Sequence, residues 1–260
     1  GYHGWHDWYL SANLKSKNNL NNHLMKNLPI EGVPKQLKNT IFTFEYNDFD
    51  SLKKIVLKNK IGIIKMEVSR NFLPKNNFLK KIRNLCNKKN IILIFDECTS
   101  GFRQCLGGLH KKFKINPDIL ILGKAMGNGY AINAILGKKK VMRFANNSFI
   151  SSTFWTEKIG YVAALQTLKV MEDTKSWSII STIGKKIKKK WKKLAKKNNL
   201  KIDIMGLDSM PLFIFKSNNH LKYKTFITQE MLKNNILASN VIYICIHHDQ
   251  KLINRYFKIF

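Results

Sequence analysis

Apolar residues in this chain gather in short, β-branched runs that end abruptly in charge. Ile91-Ile92-Leu93-Ile94-Phe95 runs into Asp96-Glu97, and Ile119-Leu120-Ile121-Leu122-Gly123 runs into Lys124. Continuous runs of this kind fit strands buried on both faces of a parallel sheet, with the terminal charge emerging at the carboxyl edge. A third run, 61–66, ends at Glu67, and 41–46 also has strand composition. Between them lie helix-like stretches. Asp48 or Asp50 is placed to cap the first, and Pro74 opens a second over 75–89. A short fourth strand at 133–137 and a helix at 156–171 complete an alternation that predicts βαβ units and a mostly parallel sheet.

The pattern then changes. From 177 to 197 runs a very basic stretch in which Ile179, Ile183, Ile187, Trp191 and Leu194 recur at helical spacing. It reads as a helix packed on its own domain with a solvated lysine face, in preference to a helix for a membrane surface or nucleic acid. Strands at 212–215 and 241–246, with a helix at 225–234 between them, predict a smaller α+β domain. No internal repeat is evident.

Composition narrows the classes. At 260 residues and 44% hydrophobic, the chain can bury a sizeable core, and no apolar run approaches a membrane span. The formal charge of +30 raises nucleic acid as a partner. The excess is mostly Lys, scattered and accompanied by Asn and Ile, without arginine and aromatic signatures, so no nucleic-acid role is expected. Four cysteines, at 86, 98, 105 and 245, show neither metal-ligand spacing nor a disulfide framework, which fits a reducing cytoplasm. His3, His6 and Asp7 are loosely spaced like metal ligands, but no further ligand set follows, and no metal is expected.

The chemistry lies at the two charged strand ends. Open α/β sheets bind ligands at the carboxyl edge of their strands. An acid and a lysine delivered there suggest pyridoxal phosphate, with Asp96 for its ring nitrogen and Lys124 for its aldehyde. Asp96 could instead cap the next segment, and Glu97 could compete for its role. Lys124 precedes Gly127-Asn128-Gly129, a loop suited to close approach of a cofactor, and no Ser or Thr follows it as a P-loop requires.

The wording around these positions resembles the class III pyridoxal-phosphate aminotransferases, most of all the glutamate-1-semialdehyde 2,1-aminomutase-like group. The motifs are Gly1-Tyr2-His3-Gly4, 28–34, Phe95-Asp96-Glu97-Cys98-Thr99-Ser100-Gly101-Phe102-Arg103, 117–130, 151–157 and 228–233. The resemblance implies a fold type I transferase: a large domain over 1–172, lacking its N-terminal part, and a small domain over 173–260. It implies a Schiff base and proton shuttle at Lys124, Asp96 on the ring nitrogen and Tyr2 stacked on the ring. It also implies Asn71 and, toward substrate, Glu67. Thr153 would reach the cofactor phosphate of a neighbouring subunit, which makes a homodimer with shared sites. The substrate would be a small amino acid, amino sugar, or keto or aldehyde compound.

The chain departs from the family in three places. Val68 stands where relatives carry proline. A Ser-Gly-Thr phosphate loop that precedes Gly-Tyr-His-Gly in relatives is not in this sequence. Phe154 and Trp155 are bulky where the mutase has small residues, which favours an aminotransferase. The alternative is a truncated, non-catalytic relative acting as a basic binding module.

Overall fold

The computed structural model describes residues 1–260 except 5, 22 and 24–26. Its first half follows the order α1 (Asp7–Ser11), α2 (Phe49–Lys58), β1 (Ile63–Met66), α3 (Phe78–Lys89), β2 (Ile92–Asp96), α4 (His110–Phe113), β3 (Ile119–Leu122), β4 (Ala134–Gly137) and α5 (Lys139–Met142). There follow α6 (Ile159–Thr174), α7 (Ser176–Lys197), β5 (Ile202–Met205), β6 (Leu212–Phe215), α8 (His220–Lys233) and α9 (Gln250–Ile259).

β1 to β4 form one sheet in sequence order. β1, β2 and β3 run parallel, with Met66 opposite Phe95 and Asp96 opposite Ile121, and β4 closes the sheet antiparallel to β3. α3 supplies the crossover between β1 and β2. Its Phe78, Ile82 and Cys86, four residues apart, are buried on one face against Ile64, Met66, Leu93 and Phe95. Leu207 and Met210 from the second half join this core.

Local chemistry explains where elements depart from expectation. Residues 41–46 form no strand: 41–45 have no regular structure, and Tyr46 begins a turn. Phe44 and Tyr46 pack onto the first core through their side chains, and the Tyr46 hydroxyl donates to the Val68 carbonyl, so the apolar pattern is spent on packing without a ladder. The helix expected from 75 begins at Phe78, because Asn76 and Asn77 stand at φ of 50° and 59°, in the left-handed region. Asp48 caps α2 by accepting the Ser51 amide at 2.9 Å. The helix expected from 156 begins at Ile159, after a 3-10 turn over Thr153–Thr156.

The second core surrounds α7. Ile180, Ile187 and Trp191 pack with Phe213, Met231, Ile244 and Tyr256. The Trp191 indole donates to the Tyr256 hydroxyl at 3.0 Å. The buried stripe is Ile180, Gly184, Ile187, Trp191 and Ala195, while Ile179 remains 42% exposed, so the first turns are rotated by one residue from the expected face. The rotation follows from Gly184, where a Cβ would stand 1.5 Å from the Asp208 carbonyl oxygen and only a bare backbone lets the helix approach. β5, which the sequence pattern does not predict, pairs antiparallel with β6. The strand expected at 241–246 reduces to one bridge, Leu212 to Val241. Among the described residues, no helix is long and apolar enough to cross a membrane.

Candidate active site at the carboxyl edge of the sheet

Asp96 closes β2 and is 7% exposed. One carboxylate oxygen lies 2.9 Å from His3 Nδ1 and 3.8 Å from Lys65 Nζ, and the other accepts the Cys98 amide at 3.2 Å. Burial alone would raise this carboxyl, but the His3 hydrogen bond and charge, the Cys98 amide and Lys65 outweigh it and hold Asp96 below the usual range. A buried carboxylate is thereby kept ionised.

Glu97, next in sequence, is fully buried and wholly occupied. It accepts the Leu109 amide, the His110 amide at 2.9 Å and the Ser100 hydroxyl at 3.0 Å, and pairs with His110 Nδ1 at 2.7 Å. These bonds close the loop from 97 to 110 into a fixed platform. The two acids, open alternatives in the sequence, have separate partners.

Lys124 follows β3 through Gly123. A Cβ at Gly123 would fall 2.2 Å from Asn133 Oδ1 and 3.0 Å from Cys98 Sγ, so any larger residue there has to push these side chains aside. Lys124 itself takes φ +47°, the left-handed region, and its carbonyl accepts the amides of Gly127 and Asn128 at 3.1 and 3.2 Å. Its Nζ donates to the Thr99 hydroxyl at 2.7 Å. Asp96 and Lys124 thus meet at one edge, joined through the segment Asp96-Glu97-Cys98-Thr99. Burial pushes the Cys98 thiol up, with the Lys124 charge opposing.

The remaining candidates are placed unevenly. Glu67, just past β1, pairs with Arg70 at 3.0 Å. A Cβ on Gly1 would stand 2.9 Å from His3 Nε2 and 3.5 Å from the Glu67 carboxyl carbon, so His3 and Glu67 flank the same short segment. Burial raises the Tyr9 hydroxyl, aided by Glu67 and half-buried Tyr2, which places Tyr2 in the same surroundings. Asn71 is partly buried, and its carbonyl accepts the Gly206 amide at 3.0 Å, tying it to the second half of the chain. Val68, at the family's proline position, is fully buried in the first core. Thr153 is exposed in its 3-10 turn, and among the described residues no hydrogen bond or ion pair joins it to Asp96 or Lys124.

His3 and Thr99 join the site through contacts that the sequence does not reveal. In the sequence His3 stands out by its metal-like spacing and as part of the Gly1-Tyr2-His3-Gly4 motif; among the described residues no three metal-ligating side chains converge. His3 adjoins Tyr2, and Thr99 lies within the 95–103 motif, but neither pairing is encoded locally.

The chain matches the family described as aminotransferase class-III over residues 68–244. It is 34% identical over 262 aligned positions to the 3-aminobutyryl-CoA aminotransferase of Cloacimonas acidaminovorans, covering 95% of this chain and 59% of that protein. It is 33% identical to the glutamate-1-semialdehyde 2,1-aminomutase of Sulfurisphaera tokodaii, covering 80% of this chain and 50% of the relative. The FumI protein of Sphingopyxis sp. MTA144, solved with PLP, shares the fold at a TM-score of 0.85 and 19% identity, over 100% of this chain and 61% of that one. The chain thus spans between half and three-fifths of the length of these proteins. With the family match running from the end of β1 to the bridge that holds β6, this chain belongs to the class III aminotransferases.

Proposed function

We propose that this chain carries out pyridoxal-phosphate-dependent amino-group transfer, with the cofactor held between the carboxyl ends of β2 and β3. One observation supports this above all: a buried carboxylate kept ionised at the end of β2, and an exposed lysine just past β3 whose amine is bonded to Thr99, three residues on from that carboxylate, stand at one edge of the sheet. This donor set fits the cofactor, whose ring nitrogen needs an anion and whose aldehyde needs an amine. Bound pyridoxal phosphate supplies an aldehyde that exchanges amino groups and a cationic ring that draws electrons from the neighbouring carbon.

The residues divide the remaining work. Asp96 holds the proton on the ring nitrogen, because an adjacent negative charge favours the protonated form. His3 fixes the carboxylate in place. Lys124 would hold the cofactor by condensing its Nζ with the aldehyde, with loss of water, and once released by a substrate amine it would move a proton at the substrate carbon bearing the amino group. Thr99 orients Nζ beforehand. Tyr2 lies against the ring, Asn71 and Glu67 face its hydroxyl side and the substrate, and Thr153 reaches the phosphate of a second copy in a homodimer. Residues 1–172 form the cofactor-binding part and 173–260 the smaller domain. The substrate is a small amino acid, amino sugar, or keto or aldehyde compound. The bulk of Phe154 and Trp155 beside Thr153 favours an aminotransferase over a mutase, and a reducing cytoplasm suits the free cysteines.

The test is to incubate the chain with pyridoxal phosphate, reduce with borohydride and map the modified lysine. Selective labelling at Lys124, abolished or strongly weakened in Asp96→Ala, is the expected result. Indiscriminate labelling across the many surface lysines overturns the reading. A second reading, a basic binding module, is favoured by the groove of about 230 Å³ that Lys186, Lys189, Lys190 and Lys193 line with Gln250 and Ile253 between α7 and α9. It predicts salt-sensitive polyanion affinity and no preference for Lys124.

A further inference from the structure

Lys124 is oriented by Thr99, and Thr99 is in turn held from both sides. Its backbone carbonyl accepts Arg103 Nε at 2.7 Å, within the loop that Glu97 closes. The Arg103 guanidinium stands over the Tyr243 ring, 5.2 Å from its centroid. Tyr243 belongs to the second half of the chain. Its neighbours Ile242 and Ile244 donate to the carbonyls of Pro211 and Ser209 at 3.1 and 3.2 Å, which fixes the backbone on either side of the ring. Arg103 is largely withdrawn from water, where a cation over an aromatic face is worth more than at an open surface.

We propose that Arg103 is a positioning residue for Lys124 and that the Tyr243 ring holds it in place, so that segment 241–244 sets the orientation of the amine through Arg103 and Thr99. The chemistry explains why each type is present. A guanidinium can donate through Nε to a carbonyl while its flat face stacks on a ring, and an ammonium cannot do both. Thr99 can present its carbonyl to Arg103 and its hydroxyl to Lys124 at once. Three short contacts therefore run from the second half of the chain to the amine. The importance of Lys124 orientation rests on the proposed function, but the contacts themselves do not.

The experiment follows Lys124 without any cofactor. The chain is treated briefly with a trace of an amine-acylating reagent at one pH, and the rate at each lysine is read by peptide mass spectrometry. A donated hydrogen bond stabilises the ammonium and slows acylation. Thr99→Ala, Arg103→Gln and Tyr243→Leu are each expected to speed Lys124 roughly fivefold, the size of one released hydrogen bond. Tyr243→Phe, which keeps the ring, is expected to restore the native rate. A general loosening would also speed Lys188 and Lys138, which are bonded to the Gly206 carbonyl and Asp118. Arg103→Lys covers that case: it keeps a cation at the ring but loses the Nε bond, and is expected to speed Lys124 alone. A native Lys124 rate in Thr99→Ala, in Arg103→Lys, or in folded Tyr243→Leu overturns the proposal. Failure of borohydride labelling at Lys124, with these rates as expected, overturns the proposed function and leaves the relay standing.

Discussion

At the scale of the residue, the site depends on how one carboxylate is kept charged. Asp96 has lost much of its water, and His3 is the partner that most strongly opposes that cost. Hydrogen bonds to charged groups contribute about 1.5–3 kcal/mol, so His3→Ala is expected to weaken cofactor binding by roughly tenfold or more. Titration of the chain with pyridoxal phosphate, followed by its absorbance, measures this. Unchanged affinity would mean that the pair is structural only. Asp96 and Lys124 were legible in the sequence because each interrupts a β-branched run, and a strand delivers its last residue to a predictable edge. His3 was not, since its partner lies 93 positions away and nothing local encodes the pairing. Thr99 lies 25 positions from Lys124, and its role appears only once β2 and β3 are side by side.

At the scale of the element, close approach and buried charge decide how the pieces lock. Gly184 lets α7 sit against the Asp208 carbonyl, and a methyl there meets backbone that cannot turn aside. Gly184→Ala is expected to destabilise by roughly 3 kcal/mol, the upper part of the usual range for overpacking, read as a shift in urea midpoint. A gain in stability, as for alanine in an ordinary helix, would show that the contact is loose. The hydrophobic stripe of α7 was readable from sequence to within one residue. The missing residue of phase came from Gly184, whose neighbour in space is set by tertiary packing. The lost strand at 41–46 teaches the same lesson, because apolar composition records burial but not whether a ladder partner exists.

Asp118 ties elements together electrostatically. It accepts the Leu93 amide at 2.9 Å, Arg83 at 2.8 Å and Lys138 at 2.7 Å, joining α3, β2 and the start of α5 at the amino edge of the sheet. Burial would raise it, but these bonds and the Arg83 charge lower its pKa from 3.8 to about 2. The unfolded chain therefore binds this proton first as pH falls, and the contribution of Asp118, complete above about 3.8, is lost on the way down to about 2. His23, beside Tyr9, is lowered by burial from 6.5 to about 4. The unfolded chain gains this proton near 6.5 and the folded chain only near 4, so stability also falls with pH across that window. Urea midpoints measured against pH are expected to decline in these two windows. His23→Asn should remove the upper decline and Asp118→Asn the lower; a flat profile above pH 4 in the natural chain would refute the His23 part.

At the scale of the whole molecule, a charge of +30 opposes self-association, so any homodimer has to be held by apolar contact. The segment around Thr153 offers it. Phe149 is 99% exposed, Phe154 78% and Trp155 58%, and Ile159, Val162 and Leu165 of α6 are exposed beside them. An apolar group of this size is unusual on a monomer and marks a surface that something covers. If a second copy covers it and brings Thr153 to the phosphate, association and cofactor binding must fall together. Phe154→Asp is expected to weaken dimerisation by roughly thirtyfold, as removal of an interface anchor does, with a matching loss of cofactor affinity. Sedimentation at several salt concentrations makes the test sharper. Salt screens like-charge repulsion, so the dimer should tighten as salt rises, whereas contacts between the lysines of α7 and a polyanion should weaken. A chain that remains monomeric in high salt at cofactor-saturating concentrations would leave Thr153 without a site to complete, and would remove the shared active site from the proposed function.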